Sequence, residues 1–157
     1  MSTASIPTRV ASPLLASIFI RGGLDAALHP EGKVKKAETV TKPIAERVSV
    51  LPEDTETLVR LNGATQVVAA TLLSLGIWRR LAATVLIGSL IPTTLAGHRF
   101  WEELDEDARN QQITHLAKNL GLLGGLLLVA TTPTTSARHA RASKRENRGG
   151  LPFRRRR

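Results

Sequence analysis

The chain has 157 residues, 42% of them hydrophobic but only 3% aromatic, with no Tyr and no Cys, and its 22 Lys and Arg against 13 Asp and Glu give a formal charge of +9. That length fits one domain, and the lack of Cys excludes thiolate nucleophiles, CxxC redox pairs, iron–sulfur ligation and zinc–thiolate sites. Mean hydropathy lies near zero, but it averages two unlike kinds of segment, so the distribution along the chain decides the class.

The start, MSTASIPTRV, leads into an apolar stretch as a signal peptide would. Arg21 and Asp25 interrupt that stretch and no small-residue cleavage site follows, so a retained first span over about 10–29 is predicted. An extracytoplasmic segment, 30–56, comes next. Within it Val34, Ala37, Val40, Ile44 and Val48 recur at helical spacing among many charges, which fits either an interfacial helix or a solvated loop. Pro43 is expected to break or kink such a helix.

Three charge-free stretches follow: 18 residues between Arg60 and Arg79, 18 between Arg80 and Arg99, and 19 between Lys118 and Arg138. A helix of about 20 residues crosses the roughly 30 Å hydrocarbon core, so spans near 58–78, 81–100 and 113–132 are predicted. A soluble bundle is disfavoured, because buried soluble helices rarely stay uncharged all round for five turns. Pro92 should bend the third span, with Thr93 and Thr94 able to satisfy freed backbone groups. Gly121 and Gly125 form a GxxxG element in the fourth, which permits close helix–helix approach, within the bundle in preference to between subunits. The expected fold is all-α, a membrane-embedded four-helix bundle over residues 1–135, with a basic, disordered tail at 136–157.

Positive charge sets the orientation. Arg79 and Arg80 sit in the tight turn between the second and third spans, and the tail ends in four arginines. With four spans, both termini and that turn share one side, expected to be the cytoplasm of a prokaryote.

Polar residues collect at the opposite end. Arg21, Asp25 and His29 share a face of the first span, Asn62 and Gln66 open the second, His98, Trp101 and Glu102 close the third, and His115, Lys118 and Asn119 open the fourth. Ionisable residues in a span are costly and so mark functional candidates. These eleven residues therefore form a candidate polar pocket, roofed by 30–56. The competing reading is that each side chain anchors the interface or, for Arg21 with Asp25, forms a neutralising pair. The histidines come from three helices, but no spacing within one helix gives a ligand pair, so no metal or haem site is assigned. The basic tail lacks aromatic interleaving or a nucleic-acid module; anionic lipid is its expected contact and no nucleic acid is expected.

The segments LVRLNGATQVVAATLLSLGIWRRLAA and PTTLAGHRFWEELDEDARNQQITHLAKNLGLLGGLLL, with RGGLDAALHP before them, resemble the DoxX family of small prokaryotic membrane proteins across roughly residues 10–132. The resemblance implies a four-helix membrane fold and an accessory or quinone-interacting subunit of a membrane-associated oxidoreductase complex. No intrinsic cofactor or independent catalytic activity is expected, quinone being the one ligand the resemblance points to. The alternative is a non-enzymatic scaffold that recruits protein partners; a homo-oligomer is compatible with either. A small transporter ranks last, because the inner halves offer no polar path and no inverted repeat.

Overall fold

The computed structural model describes residues 6–48, 52, 54–97, 100, 101 and 103–132, with side chains from residue 10 onward. Five α-helices occupy them: α1 (Ile6–Leu28), α2 (Glu31–Arg47), α3 (Thr55–Ser74), α4 (Arg79–Gly97) and α5 (Glu106–Thr131). Three helices are long and apolar enough to cross a membrane: Val10–Leu28, Arg79–Gly97 and Glu106–Thr131.

The first span, interrupted by Arg21 and Asp25, is thus among the three, whereas α3 is not. The expected span 58–78 runs past the C-terminal end of the helix. Helix α3 stops at Ser74, and Leu75–Trp78 form the turn. Gly76 takes φ +75°, the Ile77 amide reaches back to Leu72 O (2.9 Å) and the Gly76 amide to Leu73 O (3.1 Å). This paired closure needs a left-handed residue just past the helix, which glycine adopts without strain.

Segment 30–56 is largely helical. Helix α2 runs through Pro43 without a break, so of the two outcomes expected there the break does not occur. Its Ala37 packs with Ala26 of α1 and Val59 of α3, and the hydroxyls of Thr41 and Thr55 share a hydrogen bond of 3.1 Å. Helix α2 therefore lies across the ends of its neighbours, packing against α3 and α4.

Side-chain caps start two helices. Asp54 accepts the Thr57 amide at 2.7 Å, and Asp105 accepts the Ala108 amide at 2.8 Å, each satisfying an otherwise orphan donor. The hydrogen bonds from Thr57 hold the Asp54 carboxyl below its ordinary 3.8. A carboxyl depressed in the folded state contributes fully above its unfolded value and loses that contribution as pH falls through the folded one. Acidification below 3.8 is therefore expected to lower the protection factor of the Thr57 amide against hydrogen exchange, and Asp54→Asn should flatten that dependence while keeping an acceptor in place.

The core is built from small residues around a few leucines: Ala16 and Phe19 of α1, Ala69, Ala70 and Leu73 of α3, Ala82, Ala83, Leu86 and Leu90 of α4, and Leu126 of α5. The outer surface is apolar too, with Leu14, Val68, Leu81 and Leu128 more than half exposed, as suits contact with lipid. At one end Arg79 Nη2 donates to Ser12 Oγ (3.2 Å) and Arg80 Nε to Ala130 O (2.8 Å). The start of α1, the α3–α4 turn and the end of α5 thus meet there, and the polar ends gather at the other.

The close helix approach is not where the GxxxG spacing put it. A Cβ on Gly121 would meet nothing within 4 Å, and one on Gly125 only the Leu15 side chain at 3.5 Å. The tight crossing joins α1 and α3, where a Cβ on Gly23 would lie 2.6 Å from Gly63 O and one on Gly63 2.5 Å from Gly23 O.

Candidate functional site

The polar end separates into a charged part and an uncharged part. In the charged part, Arg21, Asp25 and His29 lie on α1 and its C-terminal corner, all exposed. Asp25 pairs with Lys33 of α2 at 2.7 Å and stands 3.8 Å from His29; the partner expected from sequence, Arg21, makes no ion pair with it among the described residues. Lys33 also reaches the backbone oxygens of His29 (3.2 Å) and Asp25 (3.4 Å), and Arg60 Nη1 reaches Ala27 O at 3.0 Å while pairing with Glu56. Two cations thus neutralise the carbonyls that end α1, where the helix dipole is negative. This cluster fastens α2 and α3 to the end of α1.

The uncharged part is interior. Gln66 and Ser89 are both buried. Gln66 Nε2 donates to Ser89 Oγ (2.8 Å), Ser89 Oγ donates to Asn62 Oδ1 (2.7 Å), and Asn62 Nδ2 donates to Thr93 Oγ1 (3.2 Å). At the next residue of α4, Thr94 Oγ1 accepts from Asn119 Nδ2 of α5 at 3.1 Å. A belt of amides and hydroxyls therefore crosses from α3 through α4 to α5. Among the described residues, Gln66 Oε1 and Asn119 Oδ1 receive no hydrogen bond. Ser, Thr, Asn and Gln both donate and accept but do not titrate near neutrality, so the belt is equipped for recognition rather than acid–base work.

Three of the predicted residues, Asn62, Gln66 and Asn119, are joined in this belt. His115 and Lys118 lie beside it on α5, exposed, with Lys118 Nζ 3.2 Å from His115 Nδ1. Trp101 is exposed and stacks edge-on with Phe100, ring centroids 5.1 Å apart. His98 and Glu102 lie outside the described residues, and the described members of the predicted pocket divide between the belt and the exposed, charged part. Among the described residues no cluster of three or more His, Asp or Glu is arranged to hold a metal ion.

Ser89 was not among the residues singled out from sequence, although it joins both amides of α3. Its only signal was a polar residue in mid-span, too common in membrane helices to stand out. Thr93 and Thr94 were expected to serve the backbone around Pro92, and they do donate to Ser89 O and Leu90 O, each at 2.7 Å. Those carbonyls lie just beyond that of Gly88, the one whose partner amide Pro92 removes. Each threonine also accepts an amide from a neighbouring helix, a second duty that proline spacing does not reveal.

An apolar groove of about 390 Å³ runs along α3 and α4 beneath the belt, from Leu61 to Trp78. No curated protein and no solved structure matches the chain. A family model, DoxX, matches residues 10–99, more than half of the chain, covering α1 to α4 and ending before α5. With its apolar spans and this match, the chain is an integral membrane protein that belongs to the DoxX family.

Proposed function

We propose that the chain is an accessory, quinone-interacting subunit of a membrane-associated oxidoreductase complex, without independent catalytic activity. It resides in the plasma membrane of a prokaryote, with α3 as a fourth span and both termini in the cytoplasm, the side favoured by Arg79 and Arg80. The observation that carries the ligand reading is the belt of Asn62, Gln66, Ser89, Thr93, Thr94 and Asn119. Uncharged donors in apolar surroundings suit a quinone's carbonyl oxygens, which need hydrogen bonds but no counter-charge. When bound, a quinone would supply the electron-accepting chemistry; the residues here hold and orient it, and electrons arrive from a partner. The account predicts that quinone co-purifies with the protein, seen by extraction and mass spectrometry, and that added quinone raises its melting temperature. Protein free of quinone and indifferent to its addition would refute it.

A second reading, a scaffold that recruits protein partners, draws support from the exposure of Asp25, His29 and Trp101, which face away from the belt's interior. Deleting residues 138–157 should then abolish co-purification of partners, and unchanged recovery would count against it.

A further inference from the structure

The α3–α4 groove is walled by Leu61, Ala64 and Val68 on one side and Trp78, Leu81 and Val85 on the other, and no charged residue lines it. From Leu61 to Leu72 it runs about 16 Å along α3, at 1.5 Å per residue, the depth of one leaflet of the core. Its volume of about 390 Å³ falls at the lower end of ligand sites, roughly 300–1,000 Å³, which suits one hydrocarbon chain rather than two.

Its two ends differ. At the inner end, Arg79 and Arg80 follow Trp78 in sequence, yet neither lines the groove: Arg79 is bonded to Ser12 on α1 and Arg80 to Ala130 on α5. At the outer end, Val85, Ser89 and Thr93 form one row at i, i+4 and i+8, and Asn62 lies one turn from Thr65, which lines the wall. The apolar wall therefore runs into the Asn62–Thr93 pair, bonded at 3.2 Å. Gly88 leaves that side of α4 open, since a Cβ there would meet nothing within 4 Å.

We infer that this groove holds a single-chain, uncharged membrane lipid, its hydrogen-bonding head at Asn62 and Thr93 and its chain directed toward Trp78. The inference rests on the reading that the belt receives a membrane-borne ligand, and adds where the chain of that ligand lies and which way it points. The uncharged walls offer no counter-charge to an anionic head, and the contacts of Arg79 and Arg80 run to Ser12 and Ala130 rather than into the groove.

Trp78 reports on the chain directly once Trp101 is replaced by Phe. The full chain in nanodiscs would be titrated with a long-chain primary alcohol brominated at its terminal carbon or beside its hydroxyl. Terminal bromine should quench Trp78 saturably and more strongly than bromine beside the head. Ala64→Phe, filling the groove from an exposed position, should abolish the saturable part, and Thr93→Val should raise the half-saturating concentration about fivefold, one net hydrogen bond. Stronger quenching by bromine beside the head, or displacement by phosphatidylglycerol that depends on Arg79 and Arg80, would overturn the inference. So would quenching that never saturates. A quinone that shifts melting while Trp78 stays unquenched would remove the groove and leave the proposed function standing.

Discussion

Replacing Gly63 with Ala is expected to cost about 3 kcal/mol, the upper end for overpacking a closed contact. The added Cβ would lie 2.5 Å from Gly23 O and 2.7 Å from Ala27 N. Both are backbone atoms of α1, so no side chain can swing aside; the two helices must separate along their length. That separation loosens the packing of Ala16 and Phe19 against Ala69, Ala70 and Leu73. Gly23→Ala attacks the same contact from the other side, at 2.6 Å from Gly63 O, so the two together should cost less than their sum. Gly121→Ala is the matched control, with open space around its position, and should change stability by less than about 1 kcal/mol. Thermal melting of the purified protein in detergent separates these outcomes, and equal losses at positions 63 and 121 would refute the crossing.

Ser89→Ala should have the second largest effect, about 2 kcal/mol. Hydrogen bonds between membrane helices contribute about 0.6 kcal/mol on average, which alone predicts less. Ser89, however, accepts from Gln66 and donates to Asn62 with a single hydroxyl. Its removal strands two amide groups in an apolar interior, and each stranded group costs about 1–3 kcal/mol when burial is complete. Gln66 is buried and Asn62 half-buried, so the total falls between these limits. Thr84→Val supplies the comparison, because the Thr84 hydroxyl bonds only Arg80 O within its own helix. Ser89→Ala should also abolish the quinone-dependent rise in melting, whereas Thr84→Val should preserve both stability and response.

Helices α3, α4 and α5 were legible in the sequence because freedom from charge over about 18 residues is a strong signal in a chain this basic, whereas the charged α2 fitted a helix or a loop equally. The end of α3 was not, since counting charges extends the span to Arg79. The stop is made by backbone geometry at Gly76. The tight crossing was hidden for a different reason: Gly23 and Gly63 lie 40 positions apart, and no spacing motif connects residues on separate helices. GxxxG at Gly121 and Gly125 has the recognisable spacing, yet it faces open space and a leucine. At the polar end, type and depth identified Asn62, Gln66 and Asn119. Of the charged residues, Asp25 pairs with Lys33 and so ties α2 to the end of α1. The sequence could not separate the two groups, because exposure depends on how α2 and α3 pack against that end.

In the proposed topology four helices cross the membrane, with the arginine turn and the tail inside and the polar end outside. α3 is its decisive member, because without that crossing α2 and the α3–α4 turn lie on one side. The chain contains no Cys, so each introduced thiol is the only one. Lys42→Cys, Ile77→Cys, Leu104→Cys and Ser143→Cys variants, treated with a membrane-impermeant maleimide, map the three crossings that follow α1. Labelling of positions 42 and 104 in intact cells, and of 77 and 143 only after permeabilisation, is the predicted result. Labelling of 42 and 77 from the same side would contradict it.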